Sequence, residues 1–579
     1  MTYDLRFVPF SRYGSYFAFS MMEPGGNYFQ GTKNASELWL RTVSSAGERS
    51  LFRIELLEHG QPVPFETSAS PSELILASAS GVVRLCIPES EVIRVRAEGV
   101  SVRFAARTRN SAYQHNERQW VFNGHEHRQL VMFTSLHGKL SGNVVWGDPA
   151  IPGIHTTIFC SKNEMTFIPD DGDKIAEGAL ELFIGSWDQR RYAGSYRASE
   201  QKVEKEFNAF AARQLKVPDG LVEAAGLAAY VNWSSVVHPQ GLFSRPAMLM
   251  SKRVMCRLWS WDHCFNAMAL AEGMPEFALE QFLLPFDLQL PSGQLPDNYS
   301  DTVTLYNFVK PPVHGWAFRK MRSSNRFFDK QVVQEVYPKL VKLTEFWLGR
   351  RMPHKKGLPE YFHGFESGWD NATLFDVGFP QICPDLSTLI IEQLDAISEF
   401  ALMLGDKAAA EKWTRQADSM CRTLVRRLWD GRRFISQRSD NGVSSETSDS
   451  LLGCMPILLG RRLPQKIRDQ LVLNIRRFLT PYGLATEHPA SSHYQADGYW
   501  RGPSWAPSTM LIIDGLERCG HGELAGELRQ RFCANAAVNG FAECYDALTG
   551  AGLRDRAYTW TSSIFLILAH DIQKCRKAE

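Results

Sequence analysis

Within five residues, Glu366-Ser367-Gly368-Trp369-Asp370 places two carboxylates, an indole and a helix-breaking glycine side by side. An indole offers a flat apolar face on which a sugar ring stacks. A carboxyl group beside it loses part of its hydration, so its pKa rises and it holds a proton near neutral pH. A glycosidase needs that property to protonate a leaving oxygen. The plainer alternative is a polar loop rimmed by aromatics.

Four other stretches carry similar chemistry. Trp259-Ser260-Trp261-Asp262-His263 sits at an expected helix start. Asp262 is either an N-cap there or an ionised acceptor for sugar hydroxyls, with Trp261 as a platform. Gly293-Gln294-Leu295-Pro296-Asp297-Asn298, followed by Lys310 to Trp316, offers amide and carboxylate partners for vicinal hydroxyls; Gln294, His314 and Trp316 are the candidates. Tyr499-Trp500-Arg501-Gly502-Pro503-Ser504-Trp505 fixes the Arg501 fork between two indoles, an arrangement that a cation–π core contact also explains. Phe541-Ala542-Glu543-Cys544-Tyr545 sets Glu543 in an aromatic stretch ahead of a Gly-rich turn, and Trp560 follows at the start of the last expected helix. A His and a Cys side by side (His263-Cys264) give no metal-ligand spacing, and no D-x-D-x-D-G loop is present. No metal and no cofactor is expected.

The elements that must position these residues change character along the chain. Ile93–Glu98 and Val100–Phe104 alternate apolar and polar residues around Gly99, which predicts a hairpin with one buried face. Leu38–Arg41, Phe52–Leu56 and Leu180–Ile184 predict further strands. Many short strands with Gly- and Ser-rich turns predict a β-sandwich over 1–198. Residues 199–219 read as a charged linker helix. From 220 to 579 the pattern predicts twelve helices without intervening strands, over 222–236, 261–272, 275–290, 303–321, 329–351, 387–404, 407–428, 446–459, 464–479, 503–518, 521–537 and 559–575. Six helical hairpins closed into an (α/α)6 barrel satisfy that count, and no sequence repeat favours an open solenoid. Three loops are too long for plain helix connections: Leu290 to Ser300, Gly357 to Asp385 and Thr480 to Pro503.

Composition removes several function classes. Lys+Arg 64 against Asp+Glu 63 leaves a formal charge of +1, so no electrostatic footprint points to nucleic acid. No apolar run reaches ~18 residues, so no membrane span is expected. Eleven scattered cysteines without C-x-x-C, and a start without a basic and apolar leader, predict reduced thiols and a cytoplasmic protein.

Taken together, Trp261-Asp262-x-x-Phe265, Glu366-Ser367-Gly368-Trp369-Asp370, Tyr499-Trp500-Arg501-Gly502-Pro503-x-Trp505 and Glu543-x-Tyr545 resemble glycoside hydrolase family 63, the family of processing α-glucosidases and their bacterial relatives. The resemblance covers roughly 220–579, and the β-rich region with a linker helix also looks like the bacterial layout. It implies exo-acting hydrolysis of an α-glycoside with inversion, on short α-linked oligosaccharides or α-glucosides. It makes Asp370 the general acid and Glu543 the general base. Trp261, Asp262, Gln294, His314, Trp316, Glu366, Gly368, Trp369, Trp500, Arg501, Trp505 and Trp560 would then form the sugar site. Inversion needs room for a water, so the two carboxyls should lie ~6.5–9.5 Å apart. Trehalases share two of these motifs, but the chain lacks P-G-G-R-F and Q-W-D-x-P-N-G-W, which disfavours trehalose. The leading expectation is an α-glucosidase. Alternatives are a glucosylglycerate or mannosylglycerate hydrolase and a non-catalytic carbohydrate-binding protein. A sugar phosphorylase and a lyase using Tyr545 and His488 lack supporting residues.

Overall fold

The computed structural model describes residues 1–24, 35–44, 50–107, 110–125, 129–147, 159–355 and 357–578. The chain forms two units. One comprises Met1–Ala212, Ala229–Arg257 and Ser300–Val303; the other comprises Arg213–Ala228, Leu258–Tyr299 and Thr304–Glu579. The division is therefore interleaved rather than a single cut near residue 219.

The first unit holds two antiparallel sheets. One runs Phe17–Met22, Glu37–Thr42, Ser50–Glu58, Ser101–Ala106, Cys160–Ile168, Lys139–Trp146, with Gln61–Val63 hairpinned onto Ser50–Glu58. The other runs Asn110–Asn116, Gln119–Gly124, Gln129–His137, Ile175–Phe183, Val92–Glu98, Gly81–Glu89, Leu74–Ser78, Glu66–Ala69. Their facing rings interlock: Phe52 and Phe104 of the first sheet lie 5.3 and 5.7 Å from Phe133 of the second. The hairpin expected around Gly99 does not exist. Val92–Glu98 pairs within the second sheet and Ser101–Ala106 within the first, so Gly99, at φ +76°, turns the chain across the core from one sheet to the other. Period-two alternation fixes which face of a strand is buried but not which sheet it joins. Helix α1, Tyr196–Ala211, is no free linker. It packs on Gly81–Glu89 and Val92–Glu98, burying Tyr196, Val203 and Phe207.

The second unit is helical. After α2, Val222–Ser234, which the division splits, come α3 Asp262–Leu270, α4 Pro275–Asp287, α5 His314–Ser324, α6 Lys330–Arg350, α7 Pro384–Leu404 and α8 Lys407–Leu428. A 3-10 segment, Leu451–Arg462, precedes α9 Gln465–Arg476, α10 Ala506–Arg518, α11 Gly522–Asn539 and α12 Thr559–Ala578. Six of these form a circuit: α3 packs on α5, α5 on α7, α7 on the 3-10 segment, that segment on α10, α10 on α12, and α12 on α3. The rest stand outside, with α4 against α3, α6 and α8 against α7, α9 against the 3-10 segment, and α11 against α10 and α12. Composition explains the assignment. All nine residues of α3 are buried, as a helix surrounded on every side requires. α8 buries one stripe, including Trp413, Ala417, Met420, Leu424 and Leu428, and exposes its charges.

Two expectations fail locally. The helix expected over 303–321 begins only at His314, because Pro311-Pro312 holds the preceding residues extended. The region is also not free of strands. Two-residue ladders such as Leu258–Trp259 with Asn298–Tyr299, and Glu360–Tyr361 with Gln381–Ile382, brace the long loops. Among the described residues no helix is long and apolar enough to cross a membrane.

Candidate active site

The acidic turn forms where α6 ends and a loop returns toward α7. Gly364 opens it, and its missing side chain is required: a Cβ there would meet the Asp370 carbonyl at 1.9 Å. Ser367 Oγ donates to Gly364 O at 2.7 Å and accepts from Trp369 N at 3.0 Å, closing the turn. Gly368, at φ +70°, lies flat on the Trp261 indole, where a Cβ would come within 2.5 Å of the ring. Asn371 then fastens this turn to the Tyr499 loop: its Nδ2 donates to Gly498 O and its Oδ1 accepts from Trp500 N, both at 3.0 Å.

Asp370 and Glu543, 173 positions apart, both act on one group. The Tyr499 hydroxyl donates to Glu543 Oε1 at 3.1 Å. Burial raises the pKa of that phenol, and the charges of Glu543 and Asp370 raise it further. Glu543 is 6% exposed. Burial pushes its carboxyl up to about 7, with Asp555 adding and the Tyr499 hydrogen bond opposing. Burial also raises Asp370, while Lys310 pulls it back and Asp297 pushes it up. Asp262 is held well above the usual carboxylate range by burial, against the pull of Lys310 and with Glu543 and Asp297 adding repulsion. Four carboxylates thus share one neighbourhood, and Lys310 is the leading counter-charge for two of them.

The indoles connect. Trp369 meets Trp500 at 4.7 Å, Trp500 stacks on Trp505 at 4.0 Å and 8°, Trp505 meets Trp560 edge-on at 5.8 Å, and Trp560 meets Trp261 at 5.5 Å. These five form a continuous wall. The Nε1 of Trp560 and the Oδ2 of Asp262 are buried without a hydrogen-bond partner in the protein, a donor and an acceptor suited to sugar hydroxyls.

Other expected site residues are engaged elsewhere. Glu366 is buried, forms an ion pair with Arg351 and accepts from Phe362 N at 2.6 Å. It holds the turn, and the leading charges on Asp370 are Lys310 and Asp297 instead. Gln294 gives its amide N–H to Tyr306 O at 2.9 Å. His314 is a core histidine: its Nε2 meets Ser260 O at 3.0 Å, and burial lowers its pKa to about 4. Trp316 is buried and donates to Asp514 Oδ2 at 2.7 Å. Arg501 is tied to Asp376 and donates to Asn371 O at 2.8 Å. Tyr545, the lyase candidate, is buried and donates to Gly540 O at 2.6 Å. Lys310, Tyr499 and Asp297 join the candidate site, although the sequence motifs contained them without singling them out.

Buried carboxylates of raised proton affinity beside a wall of indoles are the equipment of a glycoside hydrolase. A family model described as the mannosylglycerate hydrolase MGH1-like glycoside hydrolase domain matches residues 255–561, more than half of the chain, and the chain belongs to that family. Among relatives, the mannosylglycerate hydrolase of Rubrobacter radiotolerans is 22% identical over 443 residues, covering 61% of this chain and 97% of that protein. The glucosylglycerate hydrolase of Mycolicibacterium hassiacum is 23% identical over 407 residues, covering 53% and 91%. The family 63 resemblance is thereby shown. In fold, the family 63 mannosylglycerate hydrolase of Thermus thermophilus, solved with glucose, superposes with a TM-score of 0.53 at 19% identity, over 59% of this chain and 99% of that one. A bacterial glucoamylase solved with acarbose superposes with a TM-score of 0.63 at 12% identity, over 98% of this chain and 94% of its own.

Proposed function

We propose that the helical unit is an (α/α)6 barrel that hydrolyses the α-glycosidic bond of a glycosylglycerate with inversion. The family model and the relatives' names support mannosylglycerate or glucosylglycerate over the α-glucosides expected from the motifs alone. In this reading Asp370 protonates the glycosidic oxygen and Glu543 takes a proton from a water on the opposite ring face. The Tyr499 hydroxyl orients Glu543 and favours its ionised form. Asp262 and Trp560 receive the sugar's hydroxyls, and the indole wall excludes water. The active form carries the proton on Asp370 and the charge on Glu543. Glu543 governs the acid limb of a pH–rate profile and Asp370 the alkaline limb.

The observation that carries the proposal is the convergence of Asp370 and Glu543 on one tyrosine inside an aromatic wall. The test is a panel of α-mannosylglycerate, α-glucosylglycerate and α-linked disaccharides, with the released anomer followed by proton NMR. Turnover should be fastest on a glycosylglycerate, with the β-anomer appearing first. Faster disaccharide hydrolysis would reverse the substrate assignment, and first release of the α-anomer would reverse the mechanism.

A further inference from the structure

Lys310 stands in the extended stretch before α5, and Pro311-Pro312 behind it fix the backbone. Its side chain is 8% exposed, and its Nζ lies 3.2 Å from Asp297 Oδ1. The same ammonium donates to the backbone carbonyl of Phe365. One cation therefore joins the Asp297 loop to the turn that carries Asp370. That turn is too tight to absorb a shift at Phe365 locally, because Gly364 already touches the Asp370 carbonyl and Ser367 is bonded within it. The neighbouring cations are otherwise occupied: Arg351 by Glu366, Arg501 by Asp376 and Arg554 by Asp497.

We propose that Lys310 is a positioning residue for the general acid, clamping the Glu366–Asp370 turn to the Asp297 loop through one buried ammonium. This rests on the reading of Asp370 as the acid. Lys310 does not touch the reacting atoms; it acts through Asp370. The leading charges bearing on Asp370 are Lys310, Asp297 and His363, with the Tyr499 hydroxyl opposite. Of these, Lys310 is the largest influence favouring the ionised form. Its loss should leave the carboxyl both less well placed and harder to ionise.

The experiment compares Lys310→Met, Lys310→Gln and Lys310→Arg on two substrates. One is α-mannosylglycerate, or α-glucosylglycerate if that is the better substrate. The other is the matching α-glycosyl fluoride, whose fluoride departs without a proton. Lys310→Met should lose ~10–100-fold in kcat on the glycerate with KM nearly unchanged, and at least ~10-fold less on the fluoride. The pH limb governed by Asp370 should move upward. Lys310→Gln keeps a donor without the charge and should show the same upward movement with a smaller loss in kcat. Lys310→Arg should recover most of the rate. Equal losses on both substrates, or an unchanged profile with full activity, would overturn the proposal. Asp370→Asn run in parallel separates the two readings. If it too loses equally on both substrates, or keeps its activity, the acid assignment fails whatever Lys310 does. Thermal melts of each variant identify unfolding; if Lys310→Met is unfolded, the Gln and Arg variants decide.

Discussion

Two clusters of charge in the helical unit differ in how far their carboxylates are compensated. Around Asp514, every charge has a partner. Asp514 accepts from Trp316 and meets Lys320 and Arg518, Glu392 meets Arg518 at 2.8 Å and Arg319 at 3.4 Å, and Glu399 meets Arg322 at 2.9 Å. Burial works against the Asp514 carboxylate, yet Lys320 and Arg518 bring its pKa below the usual value. Around Asp370, Lys310 alone serves Asp262, Asp297 and Asp370 as leading counter-charge or contact, Arg554 acts on Glu543, and the carboxyls of Asp262, Asp370 and Glu543 are all raised. Pairing around Asp514 does not cancel burial everywhere, since Glu392 stays raised against Arg518 and Arg319, but each carboxylate there has a cation in direct contact. A set of buried carboxylates with so little opposing charge is a candidate for chemistry.

That contrast can be broken in four ways, from the largest effect down. Asp370→Asn and Glu543→Gln should each reduce kcat ~10²–10⁴-fold or more with unchanged circular dichroism. Full activity in either would dissolve the distinction between the clusters. Second, the same Glu543→Gln variant should be more stable than the wild type at alkaline pH. The folded pKa, about 7, lies above the ordinary 4.5, so the wild type loses stability as pH rises from about 4.5 through 7. At about 1.36 kcal/mol per tenfold in proton affinity, the gain at pH 8 is roughly 3 kcal/mol, vanishing near pH 4. Urea denaturation at the two pH values measures it. Third, Asp514→Asn should behave conversely, costing ~2 kcal/mol of stability because Lys320 loses its charged partner and Arg518 keeps only Glu392, with kcat unchanged. A drop in kcat without a drop in stability would move that cluster into the catalytic account. Smallest is Tyr499→Phe. Losing a hydrogen bond that favours ionised Glu543 should shift the limb it governs upward by about one pH unit or less, so activity falls more at pH 6 than at pH 8.

Part of the candidate site's geometry was readable because aromatic clustering is written in residue type. Trp261, Trp369, Trp500, Trp505 and Trp560 join in one wall, as carbohydrate-site tryptophans at motif positions suggest. What stayed hidden was pairing. Nothing local tells that Glu366 is claimed by Arg351, fifteen residues earlier at the end of α6, or that His314 spends a ring nitrogen on Ser260. Lys310 hid behind Pro311-Pro312, which reads as turn chemistry, and Tyr499 behind the louder Trp500. In the fold, helices were legible from apolar periodicity, and α8 matches its expected bounds, 407–428. The sheet change at Gly99 was not, because a crossing and a hairpin share the same alternation.

The Asn371 side chain couples the acid's turn to the loop of Tyr499, whose hydroxyl holds Glu543. In the proposed mechanism, proton donor and proton acceptor therefore ride on a common mount. Substitutions on either loop should be non-additive in double-mutant cycles, and lineages altering one loop should carry compensating changes in the other.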